Sequence, residues 1–105
     1  MTQKDIIDLI LFFPGAEIYS HFDRIGFKVV KKKLFATYLP EDNSVNIFLT
    51  PEEQNVFCKM CKGIYPVPNK WGLKGATTFE LNQVALEILR EAILSAYKKV
   101  LGSEK

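Results

Sequence analysis

The sequence has few of the residues and patterns that mark catalytic, metal-binding and membrane-spanning chains. Its 105 residues include two cysteines and one histidine, too few for a disulfide framework and poorly suited to a four-ligand zinc site. It has no glycine-rich phosphate loop and no dinucleotide fingerprint. No apolar run approaches the roughly 20 residues of a membrane span. We therefore expect a non-enzymatic protein that needs no cofactor or metal and does not associate with a membrane.

The two cysteines and the histidine do not form a recognisable reactive set. Cys58 and Cys61 are interpreted as reduced, half-buried thiols, because a redox pair normally begins a helix and this pair is expected near a helix end. A redox or metal role for the pair is left open. His21 is predicted to lie in a turn, since no nucleophile or second histidine accompanies it. The N-terminal residues lack a cleavable leader pattern, so a cytoplasmic protein is the default expectation.

The charge of the chain is unevenly distributed although its net value is only +2. Two segments, residues 24–40 and 54–79, contain no acidic residue. The basic residues of these two segments are Arg24, Lys28, Lys31, Lys32, Lys33, Lys59, Lys62, Lys70 and Lys74. The rest of the chain is strongly acidic. If the two segments meet in space, one face of the protein is therefore basic.

The N-terminal half predicts one helix and a meander of three strands. A capping-box pattern at Thr2 and helical spacing of apolar residues predict a helix over residues 2–13. Residues 16–25 have no clean period and fit either a short strand or an irregular segment. Residues 27–30 and 34–39 then predict a hairpin across a lysine turn. After a turn cluster, a third strand is expected over residues 45–49.

The strongest helix start in the chain is at Thr50. Pro51 occupies a position where its missing N–H costs nothing, and Glu53 completes a capping box. We expect this helix to end at Gly63. Its buried face is predicted to consist of Val56, Phe57, Met60 and Cys61.

The C-terminal part predicts a loop, a strand and a long helix. Residues 64–76 are rich in proline, glycine and asparagine and are predicted to form an extended segment and a loop. Residues 77–81 alternate as a strand does. From residue 84 or 85 to residue 101 a strong 3.6-residue period predicts a helix, with Leu94 on its exposed side. The order α-β-β-β-α-β-α predicts an α+β fold. We expect one two-layer domain over residues 1–105, with helices packed on one face of an antiparallel sheet.

The segment at residues 65–72, with the sequence Tyr-Pro-Val-Pro-Asn-Lys-Trp-Gly, resembles the MmcQ/YjbR family of small bacterial proteins. Gly75, Thr77 and Leu81 extend the resemblance. Shorter matching phrases lie at residues 13–16, 28–29, 33–36 and 96–97. The resemblance implies a two-layer α+β fold with wing-like hairpins of a double-wing type, and a DNA-binding function. Ala76 departs from the family, in which an aromatic residue often stands before the threonine.

The basic clustering and the resemblance together predict contact with the phosphate backbone of DNA. The expected partner is double-stranded DNA, bound weakly and in a salt-dependent way. The residues expected to bind it are Arg24, Lys28, Lys31, Lys32, Lys33, Lys70 and Lys74. For the lysine turn at residues 31–33 there is a second interpretation, a solvated turn that protects a hairpin edge from aggregation.

Asn69 and Trp71 also have two interpretations. They can contact the DNA backbone and stack on an exposed base. Alternatively they are scaffold, with Trp71 covering the core and Asn69 hydrogen-bonded to the local protein backbone. We favour the scaffold interpretation. The alternative function for the whole chain is a protein-interaction or small-ligand-binding adaptor. It would use a protein partner or a homodimer through the last helix, with Leu94 as an exposed contact.

Overall fold

A computed structural model describes residues 3–21, 23–31 and 33–102. The described residues form four helices and six strands, which are α1 (Gln3–Leu11), β1 (Ala16–His21), β2 (Arg24–Val29), β3 (Leu34–Leu39), β4 (Ser44–Phe48), α2 (Pro51–Cys58), β5 (Ile64–Pro66), α3 (Lys70–Leu73), β6 (Ala76–Glu80) and α4 (Leu86–Gly102). The strands make one sheet in the order β1-β2-β3-β4-β6-β5, and all neighbouring strands are antiparallel. The predicted α+β class is confirmed.

One face of the sheet is buried beneath helices. Phe27, Val45 and Phe79 from three different strands are fully buried. They belong to the same apolar cluster as Ile10 of α1 and Ile93 of α4. Because successive side chains of a strand point to opposite faces, the intervening residues form a second face. We call the first the covered face and the second the open face.

The order of elements differs from the predicted order at three short segments. Residues 16–25 contain β1 and the start of β2, which pair along their whole length. His21 is therefore the last residue of a strand and not a turn residue. The predicted loop at residues 64–76 contains the edge strand β5 and the single-turn helix α3. Elements of three or four residues are too short to produce a periodic pattern, so the sequence did not reveal them.

The start of α2 is as predicted, but its length and buried face are not. The Glu53 amide donates to Thr50 Oγ1 at 3.1 Å, and the Thr50 amide donates to Glu53 Oε1 at 3.0 Å. The helix ends at Cys58 and not at Gly63, because the chain tightens into i→i−3 hydrogen bonds at the next two residues. The buried residue of α2 is Phe57, which packs edge-to-face against Phe79 of β6.

Two residues predicted to lie on the buried face of α2 are exposed. Val56 is 54% exposed and Met60 is 51% exposed. The helix is only two turns long and packs beside the edge strand β5, so the sheet covers a narrow strip of it. Met60 lies beyond the end of the helix, where the helical period no longer applies.

The last helix starts slightly later than predicted, at Leu86, because the chain first turns after β6. The amides of Gln83 and Val84 both donate to the Glu80 carbonyl, at 2.9 and 3.1 Å. Leu94, predicted to be exposed, is half-buried and packs against the core. The predicted capping box at Thr2 lies outside the described residues. Within the described ranges, no helix has both the length and the apolar character needed to cross a membrane.

Candidate functional site

The open face of the sheet carries a row of polar side chains. Thr37 of β3 pairs in register with Asn46 of β4, which pairs with Thr78 of β6. The Thr78 hydroxyl donates to Asn46 Oδ1 at 2.7 Å. On the other side of the row, Arg24 Nη1 lies 3.5 Å from Thr37 Oγ1. Four neighbouring strands therefore place donors and acceptors side by side across the middle of this face.

A groove of about 560 Å³ runs over this row, between the sheet and the segment that contains α3. We call it the sheet-face groove. Its lining comprises Arg24, Lys33, Leu34, Thr37, Asn46, Phe48, Val67, Asn69, Trp71 and Ala76. The two acid-free segments of the sequence, which are far apart along the chain, therefore meet over one face of the protein.

One end of the groove is basic. There it opens into an adjoining hollow that adds Lys74 and Lys99 to Lys33, and we call these three residues the basic end. In the part of the chain that the structure describes, none of the three forms an ion pair. Lys99 Nζ donates to the Leu49 carbonyl at 3.3 Å, and Lys74 Nζ lies 5.3 Å from the centre of the Trp71 ring. No carboxylate among the described residues therefore competes with an anion for these ammonium groups.

The opposite end of the groove is acidic. A further hollow there adds Asp42 and Glu80 to Arg24. The Glu80 carboxylate accepts hydrogen bonds from the Tyr65 hydroxyl at 2.5 Å and from the side-chain amide nitrogen of Gln83, Nε2, at 2.6 Å. The hydrogen bond to Glu80, together with partial burial and the nearby carboxylate charge, raises the pKa of Tyr65. A polyanion in the groove would therefore be attracted to one end and repelled from the other.

A short, firmly held turn positions Trp71 at the groove. Gln54 Nε2, on α2, donates to the carbonyls of Gly72 at 2.9 Å and Ala76 at 3.0 Å. Gly72 approaches the neighbouring backbone so closely that an added Cβ would lie 2.0 Å from the Val67 carbonyl oxygen. No other residue fits at this position without moving the backbone. The backbone that carries the indole is therefore held in place by the chain around it.

The favoured prediction that Trp71 covers the core is wrong, because 56% of its surface is exposed. The backbone contact at Gly72 holds the single turn of α3 outside the core. The other part of the scaffold interpretation does describe Asn69, whose Oδ1 accepts a hydrogen bond from the Trp71 amide at 2.8 Å. Both residues line the groove.

Three other basic candidates, Lys28, Lys31 and Lys70, lie outside the groove. Lys28 occupies a neighbouring hollow on the open face, beside Glu17. Lys31 is exposed in the turn between β2 and β3, where its φ is 62°. Lys70 is exposed in α3 and does not line the groove. Lys32 lies outside the described residues. Of the lysine turn, the structure therefore brings Lys33 to the groove.

Several residues of the groove and of its two adjoining hollows were not predicted from the sequence. Asn46 and Phe48 alternate with the buried residues of β4, and this alternation could have predicted that one face of the strand is open. Thr78 has the same position in β6. Lys99 gave no such signal, since only the packing of α4 against the sheet brings it near Lys33.

The two cysteines lie away from the groove. Both are half-buried free thiols. Cys61 Sγ donates to the Gln83 carbonyl at 3.3 Å. Burial raises the pKa of the Cys58 thiol, which disfavours the thiolate that nucleophilic and metal chemistry require.

Comparison with known proteins places the fold but not the family. No family model matches the chain, and no curated protein matches it. The fold is similar to that of a protein from Pseudomonas syringae seen in a crystal structure, with a TM-score of 0.75. The similarity covers 95% of this chain and 99% of that one, at 17% sequence identity. At this identity the likeness shows the shared fold and nothing about function.

Proposed function

We propose that the protein binds DNA, and that Arg24, Lys33, Lys74 and Lys99 contact its phosphate backbone along the sheet-face groove. The observation that supports this best is that the sheet-face groove, which Arg24 and Lys33 of one acid-free segment line, opens into the hollow that Lys33 shares with Lys74 of the other segment. We also propose that the chain belongs to the MmcQ/YjbR family, on the resemblance at residues 65–72.

The arrangement suits a weak, sequence-tolerant interaction. Each lysine or arginine that neutralises a phosphate releases counterions, so four contacts correspond to a slope of roughly −3 to −4 in log K against log salt. Non-specific binding of this kind has dissociation constants on the order of 10⁻⁴ to 10⁻⁶ M at physiological salt. The polar row at Thr37 and Asn46 supplies further hydrogen-bonding groups beneath the phosphates, and the acidic end disfavours extension of the ligand in that direction.

The test is the anisotropy of a short labelled duplex, titrated with protein between roughly 50 and 200 mM salt. The triple variant Arg24→Glu/Lys33→Glu/Lys74→Glu should lose about tenfold or more in affinity, and its salt slope should fall by roughly 3. The charge-matched control is Lys59→Glu/Lys62→Glu/Lys98→Glu, whose three side chains are exposed and do not line the groove. The control should bind nearly as well as the unmodified protein.

Two outcomes would count against the proposal. Equal losses in the two triple variants would show that net charge matters and that the groove does not. Absence of binding to the duplex and also to either of its separated strands at roughly 50 mM salt would remove the proposed function, provided that circular dichroism shows folded protein.

A second candidate function is self-association or binding of a protein partner through α4. Phe12, which follows α1, is 83% exposed and Leu86 is 43% exposed. Both line a hollow between α1 and α4 that also contains Asp8 and Arg90. Sedimentation over a range of protein concentrations tests the homodimer. A monomer at every concentration would exclude it, whereas a dimer weakened by Phe12→Ser would support it.

A further inference from the structure

We propose that the Trp71 indole stacks on an unpaired base of the bound strand, so that the protein prefers single-stranded to fully paired DNA. This inference rests on the proposed function and specifies the form of nucleic acid that the groove takes. The ligand chemistry is a nucleobase with an adjacent phosphate, held between an aromatic ring and the basic end.

Trp71 is unusually exposed for a tryptophan. Large aromatic side chains normally bury most of their surface in a core or an interface. Here the indole is more than half exposed, although the Trp71 amide donates to Asn69 and Gln54 donates to the carbonyls of Gly72 and Ala76 beside it. An aromatic ring presented on a rigid support at a groove is the arrangement by which proteins stack the bases of single strands.

Positive charges surround the Trp71 ring. Lys74 Nζ lies 5.3 Å from the ring centre, a cation–π distance. Lys33 and Lys99 line the same hollow as Trp71. A nucleotide whose base lies on the indole would therefore have its phosphate near positive charges that are already in place.

A base can reach the Trp71 ring more easily from a single strand than from a duplex. In a duplex both faces of each base are stacked against neighbouring pairs, so a base reaches a protein ring only by leaving the stack, at a considerable energetic cost. The hollow at the basic end has a volume of about 360 Å³, which leaves room for a single nucleotide, whereas a duplex can contact its lysines only from outside, through phosphates. A single strand offers its bases without that cost, and this difference is the source of the expected preference.

Trp71 is the one tryptophan of the chain, so its fluorescence reports stacking directly. We would titrate the protein with an oligothymidylate of about 12 nucleotides, an abasic strand of the same length, a duplex of the same length, and thymidine monophosphate. The oligothymidylate should quench the fluorescence and bind most tightly. The abasic strand, with the same phosphates and no bases, should bind more weakly and quench little.

Two variants separate stacking from a general apolar contact. Trp71→Ala should lower the affinity for oligothymidylate by roughly 5- to 100-fold and remove its advantage over the abasic strand. Trp71→Phe should keep part of that advantage. Leu73→Ala is the matched control, because Leu73 is 83% exposed on the same helix and does not line the groove. Leu73→Ala should bind oligothymidylate as tightly as the unmodified protein does, as measured by the anisotropy of labelled strands.

The outcomes distinguish this inference from the function on which it rests. If duplex and abasic strand bind in a salt-dependent way but oligothymidylate gives no quenching or advantage, stacking is overturned and backbone binding stands. If no nucleic acid binds, the proposed function itself fails. Equal losses in Trp71→Ala and Leu73→Ala would overturn stacking and indicate an apolar surface for a protein partner. Monophosphate binding as tight as that of the strand would overturn the assignment to a strand.

Discussion

The covered and open faces of the sheet are built from alternating residues of the same strands. Val45 and Phe79 are fully buried on the covered face, while their strand neighbours Asn46 and Thr78 bond to each other on the open face. The difference between the faces shows that fold and site are interleaved along the sequence and separated in space. Adjacent residues should therefore respond to substitution in different ways, one through stability and the other through binding.

The sharpest form of this comparison is a pair of neighbours in β6. Phe79→Ala should lower the free energy of unfolding by about 3–5 kcal/mol, because it removes a fully buried ring that packs against Phe57. Thr78→Val should cost about 0.5–1.5 kcal/mol, since it removes one hydrogen bond to Asn46. Chemical denaturation with equal m-values for the variants checks both numbers.

The comparison would break if the two variants lost similar stability, or if Thr78→Val lost more. Because a chain of this size has about 5–15 kcal/mol of stability in total, Phe79→Ala can leave little folded protein. Phe79→Leu removes less volume and can be measured instead. It should still lose more stability than Thr78→Val, by a smaller margin than Phe79→Ala does.

The next effect concerns the junction where α3 joins the sheet. Gly75 has a φ of +115°, and an added Cβ would lie 1.9 Å from the Leu49 carbonyl oxygen. Gly75→Ala should therefore cost about 1–3 kcal/mol or more and should also shift the emission of Trp71, because both the core and the groove depend on this turn. Gly102→Ala is the control, since nothing lies within 4 Å of its added Cβ.

Thermal unfolding and tryptophan emission measure the two effects on the same sample. If Gly75→Ala lost stability without a change in Trp71 emission, the support of the indole would be independent of the junction. The loop, like the sheet, would then have separate residues for stability and for the support of the groove. If both signals change, the junction is the place where the two faces are coupled.

Elements with enough turns or alternations were predictable from sequence. α1 and α4 show helical periods, and β3 and β4 show alternation, because burying one face imposes a repeat on the residues. The start of α2 was predictable for a local reason, the reciprocal hydrogen bonds of Thr50 and Glu53. β1, β5 and α3 were missed or left open. The two strands owe their existence to pairing with β2 and β6. The partner strands were predicted, but β1 and β5 show no alternation of their own from which the pairing could be inferred.

The candidate site was predictable in composition but not in arrangement. Charge counting along the chain identified Arg24, Lys33 and Lys74, since acid-free segments are visible without a fold. It could not separate Lys33 from Lys31, because the direction of a side chain at a turn depends on backbone angles. It assigned Trp71 to the core from the general behaviour of aromatic residues. The close backbone contact at Gly72 that prevents this is a tertiary feature.

The smallest expected effect is electrostatic and concerns the acidic end of the groove. The hydrogen bond from Tyr65 to Glu80 stabilises the protonated phenol, as do partial burial and the carboxylate charge, so the pKa of Tyr65 is raised. Glu80→Gln keeps the size of the side chain and removes the charge, so the pKa of Tyr65 should fall towards its usual value of about 10. Ultraviolet absorbance of tyrosinate during an alkaline titration measures the change, and Tyr65→Phe identifies the titrating group.

The sign of the associated stability change follows from the direction of the pKa shift. A tyrosine whose pKa is higher in the folded protein than in the unfolded chain stabilises the fold below the unfolded pKa. This contribution is lost as the pH rises through the folded pKa. This contribution is fully present at neutral pH, so Glu80→Gln should lower the free energy of unfolding there, by a small amount because both residues are partly exposed. The difference from the unmodified protein should disappear as the pH rises through the folded pKa. Tyr38, whose pKa is raised by burial alone, should titrate as before. A shift in the pKa of Tyr38 in Glu80→Gln would show that charges on the open face act on the core. The two faces would then not be electrostatically separate.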